Sequence, residues 1–324
     1  MWCVIIKPNH LSKGDRVAVI APASPADLQS VRDAKKRVEA MGLVPIMYPT
    51  CYLRYGHLSG KDEDRANDIN SAFSDETIRG IICLRGGYGT TRILNSIDYE
   101  NIKSNPKIFI GYSDITALHV AFNKICRMAT YHGPMAASDF ISIENNGYVN
   151  IEKYTYASLF KNIFTNKPIG KYKNPNNEKL KAILGGTANG ELIGGNLSLL
   201  VSTLGSPYEI DTKGKILFLE DVGEAAYKID RMLTSLALAG KFGDCEGIIL
   251  GTWTDCYREK KSYENGFDLL LEEIFNNTLL KYNKPIISNF QAGHNFPQPT
   301  MAFGTNIKLD ADKKEIIFTE SGNR

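Results

Sequence analysis

A two-domain α/β protein is predicted by three observations. Short apolar runs alternate with helical patterns through the first half of the chain. A stretch at 165–178, rich in Asn, Lys, Gly and Pro, then interrupts the pattern, and beyond it the rhythm changes. The length, 324 residues, favours two domains over one. Taken together these give an N-terminal α/β domain over 1–165, a linker over 166–180 and a smaller, more mixed α/β domain over 181–324.

The first domain reads element by element. Residues 16–21, RVAVIA, form a short buried strand ended by Pro22, and 27–41 a helix with Leu28, Val31, Ala34 and Val38 on one face and Gly42 as its stop. Residues 44–48 make the next strand, 61–73 a helix and 80–84 a third strand. Residues 107–122, KIFIGYSDITALHVAF, repeat the unit: an apolar strand, a sharp turn at Gly111-Tyr112-Ser113-Asp114, and a helix with Ile115, Leu118, His119 and Phe122 at 3–4 spacing. Strands and helices at this pitch argue for a flavodoxin-like parallel sheet covered on both faces, with functional residues at the carboxyl ends of the strands. In the second half, strands are expected at 180–184, 190–193, 214–219, 247–250 and 285–288, and helices at 195–204, 225–238 and 267–275. Residues 301–303, 307–309 and 315–318 are expected to close as a hairpin-like set.

Composition excludes several classes. The chain is 43% hydrophobic and 23% charged with a net charge of +2, so no basic surface argues for nucleic acid. No apolar run approaches a membrane span, the N-terminus lacks the features of a signal peptide, and a cytoplasmic protein is expected. The six cysteines are scattered singly, with no spacing that suggests a metal site or a disulfide framework.

The chemistry concentrates at strand ends. A strand, a tight turn with one serine and a helix have the layout of a nucleophile elbow, which presents the Ser113 hydroxyl beside the N–H groups of a helix start. The plainer reading is that Ser113 and Asp114 cap the helix. One strand earlier, Arg85-Gly86-Gly87-Tyr88-Gly89 could bring a backbone N–H to a developing oxyanion, could cradle a phosphate, or could simply make a tight turn. A serine nucleophile needs a base and an acid to orient it. Among five histidines, His10 and His57 lie in polar loops, His119 is a helix residue and His132 follows a strand. His294, in QAGHNFP, sits rigidly after a strand. The run ILFLED ends a strand with Glu220 and Asp221: Asp221 reads as a helix cap and leaves Glu220 to face the cleft. The order is Ser113, Glu220, His294.

At this point the residues resemble a known family. The blocks GDRVAVIAPASP, IICLRGGYGTTRIL, FIGYSDITALH, YHGPM, GELIGGNLSLL, LFLEDVGEAAYKIDRML and GHNFPQPTMAFG, in this order, resemble the LD-carboxypeptidases, serine peptidases of bacterial murein recycling. The resemblance implies that Ser113 is the nucleophile, Glu220 the acid and His294 the base, with the triad shared between the two domains. It implies an oxyanion hole from the backbone N–H of Asp114 and of Gly86 or Gly87. It implies release of a terminal D-alanine from a murein tetrapeptide or a similar small peptide, no metal or organic cofactor, and a homodimer. Ile115 replaces the last glycine of a G-x-S-x-G elbow, which argues against an α/β-hydrolase. A carboxypeptidase must hold a free carboxylate, and Arg85 and Arg231 are the candidates; Arg231 could equally pair with Asp230 or Glu224 on its helix. The nearest rival is the related microcin C self-immunity peptidase branch, which cleaves an aminoacyl-nucleotide. The RGGYG loop and the lack of tryptophan in 168–184 favour the murein reading. A non-catalytic two-lobed binding protein, or a nucleotide binder resting on the glycine loop alone, would not need three triad residues at strand ends.

Overall fold

The computed structural model describes residues 4–138, 141–143, 149–256 and 269–324. They fall into two compact units. One takes the chain up to Pro168 together with Pro299–Gly304 and Ser321–Arg324, and the other takes Ile169–Gln298 and Thr305–Glu320. No helix among the described residues is long and apolar enough to cross a membrane.

The first unit begins with β1 (Arg16–Ile20), α1 (Leu28–Ala40), β2 (Val44–Met47), α2 (Asp62–Ser74) and β3 (Ile78–Cys83). It continues through α3 (Thr90–Ile93), α4 (Tyr99–Ser104), β4 (Ile108–Gly111), α5 (Thr116–Cys126) and β5 (Thr130–His132). A separate antiparallel pair, β6 (Ile141–Ile143) and β7 (Val149–Ile151), precedes α6 (Lys153–Ile163). The five main strands are parallel in the order β2-β1-β3-β4-β5, as the flavodoxin-like reading expects. Val17, Val19, Ile81, Ile82, Phe109 and Ile110 are all buried, which is why these strands read as unbroken apolar runs. Helix α1 starts where Asp27 accepts the Ser30 N–H at 2.8 Å, and it buries Val31, Ala34 and Val38. Leu28, expected on that face, is exposed in the first turn.

The second unit contains β8 (Gly170–Lys171), β9 (Lys181–Leu184), β10 (Thr187–Asn196), α7 (Leu197–Ser202), β11 (Lys215–Val222), α8 (Ala226–Leu238), α9 (Lys241–Asp244) and β12 (Gly247–Thr254). After these come α10 (Leu271–Leu279) and β13 (Ile286–Ser288); β14 (Met301–Phe303) follows in the chain but belongs to the first unit, and β15 (Asn306–Asp310) and β16 (Glu315–Phe318) return to the second. Its sheet runs β8-β16-β15-β10-β11-β12-β13-β9. The central four strands are parallel and antiparallel strands close both sides, so the sheet is mixed as expected. Strand β10 runs on through Gly195 and Asn196, where a helix was expected, because Gly194 passes close to the Phe218 carbonyl: a Cβ there would lie 1.9 Å from that oxygen. The expected helix at 267–275 begins at Leu271; residues 267 and 268 lie outside the described residues.

The chain departs from a simple two-domain succession at its end. Strand β14 pairs antiparallel with β5 in the first sheet, Met301 opposite His132 and Phe303 opposite Thr130. Three buried apolar residues cover that sheet edge, so they do not join the hairpin of β15 and β16. The tail also returns to the first unit: Asn323 donates to the Asn162 carbonyl at 2.6 Å and the Arg324 N–H to the Pro8 carbonyl at 2.9 Å. Residues 181–324 are therefore not one continuous domain. Nor is 166–180 a free linker, since β8 joins the second sheet and Asn174 donates to the Asn289 carbonyl at 2.7 Å. Because Phe303 is 1% exposed in a closed edge, Phe303→Ala should lower stability by about 3–5 kcal/mol. A shifted urea midpoint at unchanged slope is the check.

Candidate active site

Strand β4 delivers Ser113. Gly111 ends the strand where a Cβ would meet Ile115 at 2.9 Å, and Tyr112 is extended (φ −154°, ψ −173°). Ser113 then takes φ +66°, a left-handed conformation that costs a non-glycine residue about 1–3 kcal/mol. A single turn over Ser113–Ile115 leads into α5. Asp114 does not cap that helix. Buried, it reaches across to α3, where its carboxylate accepts the Thr90 N–H at 2.8 Å, while the Thr90 hydroxyl donates to the Asp114 carbonyl at 2.6 Å. Burial pushes the Asp114 carboxyl up, opposed by those Thr90 bonds and by the Arg65 charge.

The glycine loop after β3 packs directly on this turn. A Cβ on Gly86 would stand 2.9 Å from the Ser113 Cβ, 3.1 Å from its Oγ and 3.5 Å from the Asp114 nitrogen. Gly87 (φ +117°) instead abuts Ser24, whose Oγ a Cβ would approach to 2.3 Å. Of the two glycines, Gly86 is thus the one that lies against the serine. Ser24 fixes the loop from the end of β1: its N–H donates to the Gly86 carbonyl at 3.3 Å and its hydroxyl accepts the Tyr88 N–H at 3.1 Å.

In the second unit, β11 carries Glu220 two residues before its end; the side chain is fully buried, and its Oε2 lies 2.7 Å from His294 Nδ1. A carboxylate oxygen opposite Nδ1 places a proton on that nitrogen and leaves Nε2 as the atom that can take one up. Gly293 (φ +127°) permits the approach, for a Cβ there would fall 2.6 Å from Glu220 Oε2 and 2.7 Å from the Thr252 hydroxyl. The Thr254 hydroxyl donates to the His294 carbonyl at 2.6 Å, and the Thr252 N–H to the Ala292 carbonyl at 2.9 Å, so β12 holds the loop. Burial pushes the imidazole's pKa down, but the hydrogen bond and charge of Glu220, with Asp221 behind it, outweigh this and hold it above the ordinary histidine value. Burial likewise pushes the Glu220 carboxyl up, against the pull of His294.

Residues 17–133 match the LD-carboxypeptidase N-terminal domain and residues 189–309 the LD-carboxypeptidase C-terminal domain. A probable murein peptide carboxypeptidase of Bacillus subtilis is 37% identical over 311 residues, 96% of this chain and 93% of that protein. The chain belongs to the LD-carboxypeptidase family. A murein tetrapeptide carboxypeptidase of Pseudomonas aeruginosa is 29% identical over 92% of this chain and 94% of its own length. Among solved structures, the microcin C7 self-immunity protein MccF with aspartyl sulfamoyl adenosine superposes with TM-score 0.86 at 25% identity, covering 98% of this chain and 100% of that one. The muramoyltetrapeptide carboxypeptidase of Oxalobacter formigenes gives 0.79 at 25% identity over 94% and 99%.

As an LD-carboxypeptidase the chain is a serine-type carboxypeptidase. The structure brings Gly86 and Asp114 to Ser113 in one unit and Glu220 to His294 in the other. Arg85 is exposed, with one guanidinium nitrogen 3.3 Å from the Pro25 carbonyl. Arg231 is exposed on α8 with its guanidinium 5.8 Å from the centre of the Tyr227 ring, and Glu224 pairs with Lys228 instead. His119 is packed, donating from Nε2 to the Gly111 carbonyl at 2.9 Å, and burial pushes its pKa down to about 4. It braces the start of the elbow as a neutral ring. His132 is buried between the rings of Tyr112 and Phe303; His10 and His57 are exposed, His57 against Tyr88. Asp221 is not the N-cap of a helix, since Asn196 caps α7 and Ala225 holds that position for α8; its carboxylate instead accepts the Ser198 N–H in the first turn of α7 at 2.9 Å and the Asn196 amide at 2.9 Å.

Sequence reasoning passed over Ser24, Thr90, Arg65, Asn196 and Thr254. Only Arg65 left a trace, a charge at i before Ile69 and Phe73 on the buried face of α2. The Glu220 carboxylate raises the pKa of His294, so Glu220→Gln should lower the imidazole's titration midpoint. Nuclear magnetic resonance of the His294 ring protons reads that shift, and an unchanged midpoint would mean that Glu220 does not set the charge.

Proposed function

We propose that the chain releases the terminal D-alanine from murein tetrapeptide through an acyl-enzyme on Ser113, with His294 as base and Glu220 as its orienting acid. The observation that carries this reading is the Ser113 turn: a serine in a left-handed conformation, against a glycine backbone, at the carboxyl end of a buried strand. The names borne by its relatives of 37% and 29% identity supply the substrate class.

In this mechanism His294 Nε2 takes the proton from Ser113 Oγ as the oxygen attacks the carbonyl of the diamino acid. The carbonyl oxygen becomes an oxyanion, held by the backbone N–H groups of Asp114 and Gly86. Collapse breaks the C–N bond, and the imidazolium gives its proton to the departing D-alanine nitrogen. A water, deprotonated by the same imidazole, then attacks the ester and restores Ser113. Glu220 keeps Nδ1 protonated throughout and stabilises the imidazolium. Arg85, one residue before Gly86, and Arg231 are proposed to hold the substrate carboxylate by charge-assisted hydrogen bonds. The reading carries with it a cytoplasmic, homodimeric enzyme that needs no metal or organic cofactor.

A second reading is favoured by the higher structural superposition with MccF, 0.86 against 0.79. On that reading the same residues would cleave an aminoacyl-nucleotide. Release of D-alanine from L-Ala-D-Glu-(diamino acid)-D-Ala distinguishes them. The native protein should release it and Ser113→Ala should abolish release. Gly86→Ala, which puts a methyl group against Ser113, should cut kcat by roughly 100-fold. Equal release by native protein and Ser113→Ala would remove Ser113 from the chemistry; no release, with cleavage of an aminoacyl sulfamoyl adenosine, would select the second reading.

A further inference from the structure

Arg65 is one of the largest fully buried side chains of the protein. It lies on α2, away from any surface, and its hydrogen bonds go to the loops around Ser113. One terminal nitrogen, Nη1, donates to two carbonyls at once, that of Pro22 after β1 and that of Gly89 at the end of the glycine loop, each at 2.8 Å. The other, Nη2, pairs with Asp62. Asp62 is also held from α3 by Arg92, through bonds of 3.0 and 2.8 Å. Gly89 (φ +133°) has no room for a side chain because a Cβ would stand 2.5 Å from Arg65 Nη1.

Such a residue is a poor device for stability alone. Burying a guanidinium costs solvation that its partners seldom return in full, and apolar replacements of buried charges are often neutral. Its Nε, moreover, has no partner among the described residues. What the guanidinium does is geometric. Its fork joins the loop after β1 to the last residue of the loop whose Gly86 lies against Ser113. The same loop is tied at Gly86 and Tyr88 by Ser24 and at Thr90 by Asp114. Arg65 adds a side-chain bond at Gly89, between the ties at Tyr88 and Thr90, to a carbonyl that also accepts the Arg92 N–H at 3.2 Å.

We propose that Arg65 is a positioning residue: its bonds to the Pro22 and Gly89 carbonyls set the place of the Gly86 backbone beside Ser113, and thereby the fit of the site to the tetrahedral intermediate. The proposal rests on the reading of Ser113 as nucleophile. A misplacement of about 1 Å at such a donor costs on the order of 100-fold in rate while substrate contacts remote from it persist. Removing Arg65 leaves Asp62 paired with Arg92 and 32% exposed, so no buried unpaired charge is created.

The test compares Arg65→Met and Arg65→Lys with the native enzyme by three measurements. These are kcat for D-alanine release, the inhibition constant of a phosphonate analogue of the tetrapeptide that mimics the tetrahedral intermediate, and that of the tripeptide product. Inhibition constants do not depend on how much of the sample is folded. The expected result for Arg65→Met is kcat lower by about 10- to 100-fold and phosphonate binding weaker by the same factor, with tripeptide binding changed less than about twofold. Arg65→Lys, which keeps the charge and can reach one carbonyl, should lie between. Should Arg65→Met fail to fold, Arg65→Lys carries the test with a smaller loss in the same direction. Phosphonate binding equal to that of the native enzyme in the folded variants would overturn the role of Arg65. A native enzyme that neither releases D-alanine nor binds the phosphonate would instead remove the reading of Ser113 on which the role depends.

Discussion

The left-handed backbone at Ser113 is the constraint around which the first unit is arranged. A serine does not hold φ +66° by its own preference, so neighbouring groups have to fix it. Gly86 can lie against it only because it has no Cβ, and Gly111 makes room for Ile115 to start the turn. Asp114 locks the turn to Thr90, His119 ties the end of β4 to α5, and Ser24 and Arg65 tie the glycine loop to the end of β1. These groups converge because the parallel order β1-β3-β4 brings three carboxyl ends side by side. The fold thus turns a local strain of about 1–3 kcal/mol into a fixed position for one hydroxyl.

The second unit solves a different problem, that of keeping a carboxylate inside a protein. Glu220 is fully buried near the end of β11, and a lone charge there would neutralise by taking up a proton. The 2.7 Å bond to His294 offsets that cost, and in return the carboxylate raises the affinity of the imidazole for a proton. Gly293 brings the histidine close, while Thr252 and Thr254 hold its loop to β12. The pair is therefore held in one geometry by the bond between its members and by the loop around it. Asp221 beside it serves the fold by accepting hydrogen bonds from Asn196, the cap of α7, and from the Ser198 N–H in that helix's first turn.

Much of this was legible in the sequence. The buried parallel strands appear as apolar runs because both their faces are covered, and the strand–turn–helix at Ser113 is local enough to read from spacing alone. The resemblance to the family lay in seven blocks in order. What was not legible depends on partners distant in the chain. Strand β14 is three apolar residues with no periodicity, and its partner β5 lies far upstream. Gly86 and Gly87 are equivalent in sequence; only the neighbours that a Cβ would meet separate them. The spacing of Arg65 before Ile69 and Phe73 puts it on the buried face of α2, but nothing local says that Pro22 and Gly89 point carbonyls at it. Arg231, read as either a holder of the substrate carboxylate or an ion-pair partner of Asp230 or Glu224, rests over Tyr227 one turn away.

The central claim is that Ser113 is the activated nucleophile. Labelling with a fluorophosphonate, followed by peptide mapping, tests it most directly, because only a serine that can pass its proton to a base and its oxyanion to waiting donors reacts quickly. The account predicts one adduct per chain, on Ser113, formed more slowly in His294→Gln and suppressed by saturating tetrapeptide. An adduct on another residue, or a Ser113 that labels equally fast without His294, would contradict it.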